Sequence, residues 1–132
     1  MSVVHVAVGV ILDQRRNILL TRRAQKSHQG GLWEFPGGKV EQGESLHSAL
    51  ARELAEELDI HIGRTEPLLE VRHDYADKSV LLDVHVVWEF SGEARGMEQQ
   101  PLAWVPVDQL RSYEFPAANE PIVEAVESLL TL

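Results

Sequence analysis

Glu53, Glu56 and Glu57 stand three and four residues apart in a stretch rich in Ala and Leu, a spacing that projects side chains from one face of a helix. Three carboxylates within one turn repel one another. Near a helix C-terminus they also oppose the dipole, so the arrangement calls for something cationic. A hard divalent ion such as Mg²⁺ suits it, because that ion takes oxygen ligands and usually shares itself with substrate phosphates. Beside the acidic face, Leu46, Leu50, Leu54 and Leu58 recur every four residues and form a packing flank.

The elements that must position this face follow from local signals. Pro36, Gly37 and Gly38 form a turn ahead of it, Ser45 is the expected N-cap, and the helix is expected to run to about Leu58. Asp59 occupies the place where a glycine often turns left-handed, a conformation Asp tolerates better than most residues. Residues 3–12 are rich in β-branched side chains and read as a strand buried on both faces. A polar turn at 13–17 and a strand at 18–22 predict a hairpin, with Arg22 and Arg23 at its end. Residues 24–32, with Gly30 and Gly31, read as a mobile loop. Trp33 and Phe35 then offer either core packing or a nucleobase wall.

A second hairpin is expected from 67–75 and 79–90, joined by residues 76–78. The polar stretch 91–101 contains Glu98 on a mobile loop, 102–105 is a short strand, and 107–110 a helical turn. Residues 118–130 are apolar at helical spacing, with Pro121 tolerable in the first turn. The sum is a mixed sheet flanked by two helices.

Composition narrows the classes. A chain of 132 residues, 44% apolar and 25% charged, is expected to be one domain with a real core. It has no cysteine, which excludes thiolate metal sites and fits a reducing compartment, the cytoplasm. The apolar run at 3–12 is too short to span a membrane and has no basic leader. A net charge of −9 argues against direct nucleic-acid binding but not against a small nucleotide held through a metal. The histidines at 5, 28, 47, 61, 73 and 85 lack zinc-like spacing. No Walker loop, Rossmann fingerprint or serine elbow occurs.

Gly38, Glu44, Arg52, Glu53, Leu54, Glu56, Glu57 and Ile60 match in register the pattern Gly, five residues, Glu, seven residues, Arg-Glu-apolar-any-Glu-Glu-any-Gly-apolar, and so resemble the Nudix box. Asp59 replaces the final glycine. The resemblance extends to Val8-Gly9, Thr21 to Ala24, Glu34 to Lys39, Glu98 with Gln100-Pro101, and Phe115 to Pro121, all similar to the MutT branch of the family. That resemblance implies an α+β Nudix fold, an α/β/α sandwich, over residues 1–132. It implies hydrolysis of 8-oxo-dGTP to its monophosphate and pyrophosphate, keeping the oxidised base out of DNA.

By the same resemblance, Glu53, Glu56, Glu57 and the Gly37 carbonyl hold Mg²⁺, with Mn²⁺ able to substitute. Arg23 and Asn119 read the purine. His28, Glu34, Phe35, Pro36 and Gly37 line the substrate site, Lys39 helps phosphate, and Arg52 orients the box carboxylates. Tyr75 and Lys78 are lid contacts. Glu53 is the expected base, and Glu98 is the competing candidate or an extra metal ligand. The implied partner is a small nucleoside triphosphate, bound by a monomer. Two alternatives remain: the same chemistry on another nucleotide such as CTP or 5-methyl-dCTP, and a nucleotide-sensing module without turnover.

Overall fold

The computed structural model describes residues 3–24 and 30–131. Its frame is a four-stranded mixed sheet of β4 (Gly37–Lys39), β1 (Val3–Ile11), β7 (Ser79–Val87) and β6 (Thr65–Asp74), in that order. β1 runs parallel to β7, whereas β4 and β6 run antiparallel at the two edges. A smaller sheet orders β3 (Trp33–Glu34), β2 (Ile18–Arg22) and β9 (Leu102–Val105), and β5 (His61–Ile62) pairs with β8 (Phe90–Ser91).

β1 is apolar on both faces because a helix covers each one. Ala7 and Ile11 point to a cluster with Leu50, Leu54 and Leu58 of α1 (Leu46–Leu58). Val8, Val10 and Leu12 join Ile122, Val123 and Val126 of α2 (Glu120–Leu130). Gly9 allows α1 to approach, since an added Cβ would lie 3.3 Å from Leu54 Cδ1.

The expected first hairpin is corrected. The turn forms, with the Asp13 carboxylate accepting from the Arg15 and Asn17 amides at 2.8 Å. Only one bridge, Leu12 to Ile18, joins its arms before they enter different sheets. Each arm has its own partner, β7 for β1 and β9 for β2, so the chain gains more backbone bonds by splaying. The second hairpin forms as expected, although β7 stops at Val87 and Phe90 belongs to β8. The turn near the C-terminus spans Val107–Ser112, and α2 is preceded by a short 3₁₀ turn, Ala117–Asn119.

Candidate active site

Ser45 caps α1 by accepting from the Ser48 amide at 3.1 Å, and Asp59 ends the helix in the left-handed region at φ 58°, ψ 35°. The Asp59 carboxylate pairs with Arg95, so the residue standing in place of glycine is tied down rather than loose. Between these ends, α1 presents its three glutamates in different settings. The Glu53 side chain is 16% exposed and that of Glu56 62%, which leaves Glu56 at the rim.

Arg52 organises this face. Its Nε and Nη2 each lie 2.9 Å from the Glu44 carboxylate, a two-pronged contact, while Nη1 reaches Glu53 at 2.9 Å and Nη2 donates to the Lys39 carbonyl at 3.0 Å. The hydrogen bonds from Arg52, helped by the Glu41 amide, lower the Glu44 pKa to about 2. Glu44 therefore stays ionised and anchors the guanidinium.

The glycine turn is shaped by close approach. A Cβ on Gly37 would collide with the Ala7 carbonyl, and one on Gly38 with the Glu53 carboxylate. The first glycine lets β4 pair with β1, and the second makes the space in which Glu53 sits. Burial pushes the Glu57 pKa up to about 8, reinforced by the charge of Glu53, a hydrogen bond with it, and the charges of Glu98 and Glu34. This oxygen-only donor set around a bare glycine fits a hard divalent cation.

Among the described residues, no three acidic or histidine side chains are gathered closely enough to enclose an ion alone. A hard divalent ion commonly relies on one or two carboxylates with water and substrate phosphates, so Glu53 and Glu57 could form the protein's share, with Glu56 and the Gly37 carbonyl as further candidate donors.

Two cavities adjoin through Arg23 and Glu34. The first, about 190 Å³, has an apolar floor of Val4, Val6, Val8, Val80 and Leu82, with Phe35, Lys39 and Asn119 at its sides. The second, about 270 Å³, is lined by Glu57, Glu98, Gln100 and Arg22. Each alone falls below the roughly 300 Å³ at which small-molecule sites begin, and the pair passes it. Arg23 Nη1 contacts Glu34 at 2.9 Å, and its Nε is buried with no partner among the described residues. Burial raises the Glu34 pKa despite the charge and hydrogen bond of Arg23.

Phe35 packs in the core and also borders the first cavity. Its ring stacks on Phe115 at 5.4 Å. Asn119 stands at the N-terminal end of α2 without using its side chain as a cap, and it lines the first cavity. Tyr75 and Lys78 line the first cavity. Pro36 contributes its carbonyl to the Gly9 amide at 2.8 Å. His28 lies outside the described residues.

Sequence reasoning missed the valine floor and His73, which lines the same cavity. Alternation along β1 was a usable signal for the floor, but only strand pairing brings His73 opposite Val80. Glu98 lines the second cavity, on a loop joined to the end of α1 by the Arg95 amide on the Leu58 carbonyl at 2.9 Å and the Met97 amide on the Glu57 carbonyl at 3.0 Å.

Residues 7–125 match the NUDIX domain family. The 8-oxo-dGTP diphosphatase of Escherichia coli (strain K12) is 35% identical over 98% of this chain and 100% of its own. The CTP pyrophosphohydrolase of the same organism is 36% identical over 92% of this chain and 90% of its own. A solved MutT NUDIX hydrolase from Burkholderia pseudomallei superposes with a TM-score of 0.85 at 30% identity, covering 96% of this chain and 99% of that one. Similarity of this extent, in sequence and in fold, means that the chain belongs to the Nudix family of hydrolases.

Proposed function

We propose that residues 1–132 act as a single Nudix hydrolase domain that cleaves 8-oxo-dGTP, and dGTP more slowly, to the nucleoside monophosphate and pyrophosphate, so clearing the oxidised nucleotide from the precursor pool. The observation that carries this reading is the pair of adjoining cavities, one apolar with Asn119 at its side, the other acidic with Glu57 and Glu98. A base fits the first chemically, and a metal-bound phosphate chain the second. The 8-oxo-dGTP diphosphatase relative supports the substrate.

Nudix hydrolases depend on a divalent metal; we take it to be Mg²⁺, with Mn²⁺ as a substitute, held by Glu53, Glu56, Glu57 and the Gly37 carbonyl. When bound, that ion neutralises phosphate charge and lowers the pKa of the attacking water. Arg52 holds the Glu53 carboxylate beside the glycine turn. Glu98 lines the acidic cavity, whereas Glu53 is held by Arg52 and is not among its walls, so of the two candidates we take Glu98 as the base. Arg23, turned by Glu34, and Asn119 read the base edge; His28 lines the substrate site with Glu34 to Gly37, and Lys39 helps the phosphate. The enzyme would work as a cytoplasmic monomer without binding DNA or RNA.

A second reading, hydrolysis of a cytosine nucleotide, is favoured by the CTP pyrophosphohydrolase relative. Initial rates on 8-oxo-dGTP, dGTP, dCTP and 5-methyl-dCTP with Mg²⁺, read as pyrophosphate against phosphate release, separate the two. Pyrophosphate from 8-oxo-dGTP at the highest kcat/KM supports the first; a preference for a cytosine nucleotide replaces it with the second.

A further inference from the structure

Gln100 lies outside the box, on the loop that carries Glu98, and its side chain spans two acids. Its Oε1 accepts from the Glu98 amide at 2.9 Å, and its Nε2 donates to the Glu57 carbonyl at 3.1 Å. The same carbonyl accepts from the Met97 amide at 3.0 Å, so both of its lone pairs are used at a helix end where carbonyls ordinarily lack partners. Around this link the loop is a tight turn. The Gln99 amide bonds to the Gly96 carbonyl at 2.9 Å, Gln99 sits at φ 63°, and a Cβ on Gly96 would collide with the Gln100 carbonyl.

We propose that Gln100 is a positioning residue for water activation: its amide sets Glu98 at a fixed place relative to Glu57 across the acidic cavity. The proposal rests on the reading of Glu98 as the group that takes the water's proton. Glutamine suits the task because one planar group must both accept from one backbone and donate to another. Glutamate would lose the donation and methionine would lose both bonds. Gln100 lines the acidic cavity and not the apolar one, so its effect should fall on kcat rather than on recognition of the base.

The test is a double-mutant cycle on the full chain with Mg²⁺ and 8-oxo-dGTP, using Q100M, E98A and the pair. Q100M should lower kcat by about tenfold to a hundredfold with KM little changed, the scale at which a displaced catalytic group costs rate. In the E98A background it should do nothing more, because a residue acting only through Glu98 has nothing left to position. Should Q100M not fold, Q100E, which keeps the acceptor for the Glu98 amide, carries the same comparison. An impaired E98A beside a fully active Gln100 variant overturns the proposal alone, as does an equal loss from the Gln100 substitution with and without Glu98. A fully active E98A removes Glu98 from the chemistry and the proposal with it.

Discussion

Arg52 holds Glu44, Glu53 and the Lys39 carbonyl with three different nitrogens, a set of directions that a single ammonium cannot reproduce. Arg52→Lys should therefore keep the charge but lower kcat/KM about tenfold or more, as steady-state kinetics would show; an unchanged value would mean the fork does no orienting. Glu57 supplies a test by pH. Its folded pKa is about 8, against an ordinary 4.5, so between those values the folded chain binds more protons than the unfolded one and stability falls as pH rises. Denaturant titrations in EDTA from about pH 5 to pH 8 should show this decline, and Glu57→Gln should flatten it. An identical slope in both proteins would contradict the assignment. The three glutamates were legible in the sequence because a helix converts spacing directly into a shared face. The contact of Arg23 with Glu34 was not, since it arises only when β2 pairs with β3, Thr21 opposite Glu34.

At the scale of elements, the glycine turn and the two ends of α1 carry distinct loads. Gly37→Ala drives a methyl into backbone, the Ala7 carbonyl, whereas Gly38→Ala drives one into a side-chain carboxylate, that of Glu53. The first should cost about 2–4 kcal/mol of stability, measurable by denaturation. The second should leave stability nearly intact and lower kcat about a hundredfold. If both variants lost only stability, the turn would be structural alone. Asp59 combines a left-handed backbone with its Arg95 ion pair, so Asp59→Gly should be nearly neutral while Asp59→Ala costs about 1 kcal/mol. The cap and helix bounds were readable locally from Ser45 and Asp59. That Arg95, Met97 and Gln100 would brace the same helix end was not, because those contacts cross some forty residues of chain.

Across the whole molecule, the two apolar clusters make the sheet a rigid partition between α1 and α2. In the proposed function the catalytic groups belong to α1 and the loop behind it, and the recognition groups to the end of β2, to β3 and to the turn before α2. The strand at 3–12 was recognisable, and it is buried on both faces over residues 7–12 but only partly covered over 3–6; its separation from 18–22 into another sheet was not, since a turn signal does not reveal which neighbours its arms will prefer. The central claim is that recognition and chemistry are separate halves of one site. The most direct measurement is the ratio of kcat/KM for 8-oxo-dGTP to that for dCTP, in the native chain and in Asn119→Ala. The ratio should lie well above one in the native chain and collapse in the variant while pyrophosphate release persists. A ratio below one in the native chain, or one unmoved by the substitution, would contradict it.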